Sequence, residues 1–379
     1  RAGQAWVDKI AVIDSELSEW QGARLTAPQA FHNPKGEVIA YMFAIERNGK
    51  IVGRVLVGSS AYGFPILEAG KSPPFPVPSA SEVSAILREE HGLQIGEESL
   101  GEARLLLLNV LQGFYAVWEL EGRVAGINLI TGHSLTAPNV RALPFAMPCP
   151  VQYRAAKAAT RQSLLGSAYW EPLWDWGQVL IRDAHLMQEW DELARLPHPL
   201  RENEVIRGWC GPMSAVSIGV WKRDADGDGG LHGPEPGEED EANMYAWLEH
   251  YMQTLSFPPG WTFPGDYGPG FVNYGASRGE DFTWDYRSTF SDIMSDIAND
   301  WPLGLLGWMY VYKKPGEPME KAAHWVAVKG WGWFGLSQYV IVTDSNTGDD
   351  NRWLCWDALN APGVPYLVLR LIRISDTDN

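Results

Sequence analysis

Three cysteines occur in the 379 residues: Cys149, Cys210 and Cys355. An odd number leaves at least one thiol unpaired within the chain, and such a thiol is either packing or chemistry. Cys210 stands in RGWCGPMSAVSIGVW, at the head of an apolar stretch of helical character. A cysteine in the first turn of a helix sits among unpaired N–H groups at the positive end of the macrodipole, and both favour thiolate over thiol. Its own backbone N–H can then stabilise an oxyanion. Pro212 suits the same first turn, where its missing N–H costs nothing. Downstream, His324 opens the apolar run HWVAVKGW, where a hydrophobe would be more natural, and Asp344 ends the run YVIVTD. A histidine on one strand, a carboxylate at the lip of another and a thiol on a helix can work together. The imidazole takes the thiol proton, and the acid orients the imidazole. Each residue alone has an ordinary structural reading, a buried thiol or a satisfied core histidine. The three in this order point to acyl transfer through a thioester, to water or to another acceptor.

The segments WCGPMSA, HWVAVKG and VTDSNTG resemble the three signatures of papain-like cysteine peptidases, above all the bacterial branch that includes the leader-processing peptidases of bacteriocin exporters and the streptopain group. The resemblance covers about residues 200 to 374. It implies Cys210 as nucleophile, His324 as general base and then acid, Asp344 as orienting residue, and a peptide or protein as substrate. The stretch AYMFAIERNGKIVGRVLVGSSAYGFPIL resembles the pro-domain of the streptopain group, which implies a zymogen. One position departs from the family. A glutamine usually stands about six residues before the nucleophile and completes the oxyanion hole; here that position is Glu204, with Asn203 beside it. A carboxylate opposes an oxyanion, so Asn203 is expected to serve by a one-residue shift. The alternative is a catalytically impaired papain-fold module that binds or sits on a surface.

The run DADGDGGLHGPE fits D-x-D-x-D-G-x5-E from Asp224 to Glu235. That spacing gives carboxylates from Asp224, Asp226, Asp228 and Glu235, a sharp turn at Gly229 and a backbone carbonyl at Gly230, a ligand set suited to a structural Ca²⁺. Pro234 and Gly237 oppose the exiting helix of a true EF-hand. A solvated acidic turn is the plainer reading.

These residues need elements to hold them. Helical periodicity runs from about Cys210 to Trp221, through EANMYAWLEHYMQTL and again through FSDIMSDIAND. Four β-like runs follow: LGWMYVYK, HWVAVKGW, YVIVTD and VPYLVLRLIRI. Helices first and strands after is an α+β order, and the expected architecture is a papain-like unit with a helix-borne cysteine and an antiparallel sheet carrying histidine and aspartate. Ahead of it, YMFAIERNGKIVGRVLV and FYAVWELEGRVAGINLI align at an offset of 73, sharing Glu46 with Glu119, Gly49 with Gly122 and Gly53 with Gly126. Each reads as a β-hairpin around a polar turn, Asn48-Gly49 or Glu121-Gly122. A helix-like stretch precedes each hairpin, and Ser79 with Glu82 has the spacing of a capping box. The expected divisions are a pro-domain-like repeat at 1–74, a second at 75–150, a connector with a helix at 151–200 and the catalytic domain at 201–379.

A net charge of −17 repels phosphate backbones, and nucleic acid is not an expected partner. No window reaches the roughly 18 apolar residues of a membrane span. The chain begins at Arg1 without Met or an apolar leader core, and the expectation is a secreted or cell-surface protein whose leader has been removed.

Overall fold

The computed structural model of the chain describes residues 2–59, 66–108, 113–130, 132, 134–143, 176–178, 200, 209–223, 231, 238–254, 262–311, 320–334, 337–345, 349–359 and 368–377. The class is mixed α+β with mostly antiparallel strands. Two compact units form, each assembled from three stretches of chain. The first comprises Arg1–Glu171, Trp308–Ala322 and Leu354–Leu367; the second comprises Pro172–Gly307, Ala323–Trp353 and Val368–Asn379.

The first unit holds helices α1 (Ala2–Ile13) and α2 (Ala80–His91) and strands β1 (Arg24–Leu25), β2 (Gln29–His32), β3 (Val38–Arg47), β4 (Lys50–Gly58), β5 (Glu68–Gly70), β6 (Arg104–Leu107), β7 (Phe114–Leu120), β8 (Arg123–Asn128) and β9 (Ser134–Ala137). Their order is β5-β4-β3-β2-β6-β7-β8-β9, with β1 beside β3 and with β2 parallel to β6. Asn48 and Gly49 both take positive φ, 53° and 77°, at the β3–β4 turn. That is the type I′ requirement, which Asn-Gly meets with little strain. The capping box forms as the sequence calls for: Ser79 Oγ accepts from Glu82 N, and the Glu82 carboxylate accepts from Ser79 N at 2.7 Å. Val83 and Leu87, one turn apart on α2, bury with Ala116, Trp118, Ala125 and Ile127. The alternate strand residues Tyr115, Val117 and Val124 bury in a separate cluster with Leu106 and Leu135. Period-two alternation thus gives β7 and β8 two buried faces.

The second unit holds β10 (Trp176–Gln178), α3 (Cys210–Trp221), α4 (Glu238–Tyr251), α5 (Pro264–Arg278), β11 (Phe282–Arg287), α6 (Phe290–Ala298), β14 (Ser337–Asp344) and β16 (Val368–Asp376), with the greater part of β12 (Leu303–Val311), β13 (Glu320–Phe334) and β15 (Asp349–Cys355). A short helix, α7 (Trp356–Leu359), follows β15 and belongs to the first unit. The strand order is β11-β16-β12-β13-β14-β15, and β10 pairs with β13. Helix α3 buries every residue from Gly211 to Trp221. It is a core helix without a solvent face, and this explains its run of small and apolar residues. Its end is fixed by Lys222, which is fully buried, pairs with Asp376 at 2.7 Å and lies over the rings of Trp221 and Phe282.

Helix α5 and strands β10, β11 and β15 have no counterpart among the elements expected from the sequence. The stretch PGDYGPGFVNYGASR carries four glycines and two prolines, a composition that opposes a helix. The glycines serve packing instead. A Cβ on Gly268 would fall 2.5 Å from Trp284, one on Gly270 2.5 Å from Met252 and one on Gly275 2.3 Å from Phe282. Pro264 occupies the first turn, where it is tolerated. Among the described residues, no helix is long and apolar enough to cross a membrane.

Candidate active site

Helix α3 begins at Cys210 after Trp209, whose backbone is extended and whose side chain does not cap the helix. Trp209 N donates to Tyr245 Oη of α4 at 2.9 Å, which anchors the approach to the helix. Pro212 has no N–H to offer in that first turn, and Met213 N donates to Trp209 O at 3.1 Å. Gly211 lets a neighbour come close: a Cβ there would lie 2.2 Å from Thr262 Oγ1. Thr262 is itself held by Thr254, Oγ1 to Oγ1 at 2.7 Å, and its carbonyl accepts from Trp325 Nε1 at 3.0 Å. One threonine therefore ties the start of the cysteine helix to the residue beside His324.

His324 is 1% exposed and Asp344 fully buried. The register pairs Ala327 with Thr343 on β13 and β14. One step further, Asp344 lies beside Val326 and on the face that His324 shares, since residues two apart on a strand point the same way. His324 Nε2 donates to Asp344 Oδ1 at 2.8 Å. His324 also shares a side-chain hydrogen bond with Cys210. Burial pushes the His324 pKa down, but the Asp344 charge and hydrogen bond, joined by the Cys210 interactions, outweigh it and hold the imidazole at about 9. The ring is thus poised to keep a proton taken from the thiol. Cys210 is partly exposed, and neither it nor the buried Cys355 is in a disulfide among the described residues.

Two further side chains among the described residues bear on these three. Asp344 Oδ2 accepts a hydrogen bond from Arg352 Nη1 of β15, and Arg352 is fully buried. Tyr267 of α5 stacks on Trp325 with ring centroids 4.1 Å apart and planes 15° from parallel. Its hydroxyl shares a 2.8 Å hydrogen bond with Ser214 Oγ, one helical turn after Cys210. Burial pushes the Tyr267 pKa up, the Ser214 bond opposes this, and the nearby Cys210 adds to it.

The structure brings together Cys210, His324 and Asp344. Asn203 and Glu204 lie outside the described residues, as do Cys149 and the loop residues Asp224, Asp226, Asp228, Gly230 and Glu235. Of that loop Leu231 is described; it is buried, and its carbonyl accepts from Tyr274 Oη at 3.5 Å. Among the described residues, no group of three or more His, Cys, Asp or Glu is placed to hold a metal ion. Arg352 and Tyr267 escape a reading of the sequence. An arginine inside the apolar RWLCW hints at a buried charge seeking a carboxylate, whereas Tyr267 is masked by its glycines and prolines.

No protein-family model matches the chain, and no curated protein matches it in sequence.

Proposed function

We propose that the protein is a secreted cysteine peptidase of papain-like architecture that hydrolyses peptide bonds through Cys210, His324 and Asp344 and is made as a zymogen. The observation that carries this reading is the hydrogen-bonded chain from the partly exposed Cys210 to the buried His324 and Asp344, with the thiol at a helix start. In the proposed cycle, His324 Nδ1 takes the thiol proton and the sulfur attacks the scissile carbonyl. The Cys210 N–H, with Asn203 as the second donor, faces the oxyanion. The imidazolium then protonates the leaving amine, and the thioester remains. Water, giving its proton to His324, completes hydrolysis and restores the thiol, while Asp344 holds the ring by Nε2 throughout.

The preceding helix–hairpin region is read as a pro-domain-like repeat. The pairs Glu46↔Ile51 and Glu119↔Val124 occupy the same hairpin position at an offset of 73 in both strands, which supports that reading. Ca²⁺ is proposed as a structural ion of the loop from Asp224 to Glu235. The second reading, an impaired binding or surface module, is favoured by Glu204 at the usual oxyanion position. A thiol-directed epoxide separates the two. A peptidase is labelled at Cys210 far faster than at Cys355 and hydrolyses a denatured protein. Labelling without hydrolysis supports the impaired module, and equal labelling of both cysteines refutes an activated nucleophile.

A further inference from the structure

Both carboxylate oxygens of Asp344 are held. Oδ1 lies 2.8 Å from His324 Nε2, and Oδ2 is hydrogen-bonded to Arg352 Nη1; Asp344 and Arg352 have no exposed side-chain surface. An arginine does not shed its proton, and its charge is tolerated away from water only where a carboxylate answers it. The peptidase cycle gives Arg352 no part. We propose that Arg352 is a positioning residue of this site: by holding Oδ2 it fixes the carboxylate plane that presents Oδ1 to His324, and it limits the negative charge the imidazole feels. The proposal rests on the reading of Cys210, His324 and Asp344 as one nucleophilic unit.

The physical reason is a balance between two neighbours of one anion. A carboxylate torsion is broad and shallow, so the hydrogen bond to the ring does not by itself fix the carboxylate plane. A second hydrogen bond from a rigid guanidinium narrows that range. The same cation offsets part of the carboxylate charge. Without it, the imidazolium would bind its proton more tightly and give it up less readily to a leaving amine. Asp344 from β14 and Cys210 from α3 bear on His324 directly. Tyr267 from α5 bears on Cys210, and Arg352 from β15 bears on Asp344.

The test follows the His324 ring by proton NMR as the full-length chain is titrated, with the resonance assigned by its loss in His324→Gln. Arg352→Gln is expected to raise the pH at which the ring loses its proton by about 1. Arg352→Lys keeps the charge and is expected to leave that pH in place. An arginine that merely fills space would lower stability in both variants and shift neither titration. The proposal is overturned if Arg352→Gln folds with an unmoved titration, or if the lysine variant moves as far as the glutamine one. If Arg352→Gln gives no folded protein, Arg352→Met, which removes the charge and keeps the apolar stem, takes its place: a titration raised by about 1 upholds the proposal, and an unmoved one overturns it. No substrate is involved. A chain that cleaves no peptide therefore counts against the peptidase reading while leaving this result to be judged by itself.

Discussion

Cys210, His324 and Asp344 differ in what their loss should do, because one forms the covalent bond, one moves the proton and one only orients. Cys210→Ala is expected to abolish peptide hydrolysis with an unchanged thermal midpoint, since the residue is partly exposed and fills little core volume. His324→Ala should lose about as much, on the order of 10⁴-fold or more in kcat, because nucleophile and base act as a unit. Full activity in either variant, measured on a denatured protein substrate, would remove the catalytic assignment. The pH profile carries a separate prediction. The imidazole is held protonated up to about 9, so kcat/KM should fall as pH rises through that value and the leaving group loses its acid. The sign for stability is the same: a raised folded pKa stabilises fully below the unfolded value of about 6.5 and ceases to do so as pH passes 9. Denaturant unfolding of the parent against His324→Gln should therefore show their difference changing between those limits; a constant difference would refute the pairing. These three residues are legible in the sequence because a polar group opening or closing an apolar run is conspicuous. Arg352 is less so, since its meaning depends on a carboxylate eight residues away across a strand pair.

At the scale of elements, the close approach of α3 to the segment before α5 decides where the sulfur sits. A methyl group added at Gly211 would stand 2.2 Å from Thr262 Oγ1 and 2.5 Å from Thr262 Cβ. Gly211→Ala should cost about 1–3 kcal/mol in unfolding free energy, the usual range for overpacking. It should also slow alkylation of Cys210 by iodoacetamide at pH 7. Parent-like values of both would show that the contact yields freely. The far end of α3 carries the calcium proposal. A ligand that binds only the folded state adds about 2.7 kcal/mol at a hundred times its Kd. Millimolar Ca²⁺ should then raise the thermal midpoint by a few degrees in the parent and not in Asp226→Ala/Asp228→Ala. Equal shifts in the two would reduce the loop to a solvated turn. The sequence displays α3, the Asn48-Gly49 hairpin and the Ser79 capping box because each rests on local rules of period, turn chemistry or capping. It hides α5 and β15 because their residues answer to distant partners: glycines fitted to Trp284, Met252 and Phe282, and an arginine fitted to Asp344.

At the scale of the whole molecule, the interleaving of the two units along the chain is not legible in the sequence, since long-range strand pairing sets it. The proline-bearing joint LPHPLRENEVIRG invites cleavage, and Leu200 within it is 40% exposed. A cut there would fall between stretches that each unit needs. The first unit takes 308–322 and 354–367 from beyond the cut, and within it Cys355 N donates to Leu67 O at 3.0 Å. The second unit takes β10 from before the cut, paired along Trp176↔Gly332, Gly177↔Trp331 and Gln178↔Gly330. Burial and strand pairing within each unit, not the covalent link at the joint, should therefore hold the two fragments together. Limited proteolysis within 196–208 is expected to give fragments that co-elute in native gel filtration at the parent's mass and part only in denaturant. If the protein is a zymogen, activation would then be a nick that leaves the N-terminal fragment in place, and Cys210 should be alkylated faster in the nicked complex than in the intact chain. An N-terminal fragment that elutes by itself under native conditions would show that the interleaved stretches do not hold the units together, and activation by release would replace activation by nicking.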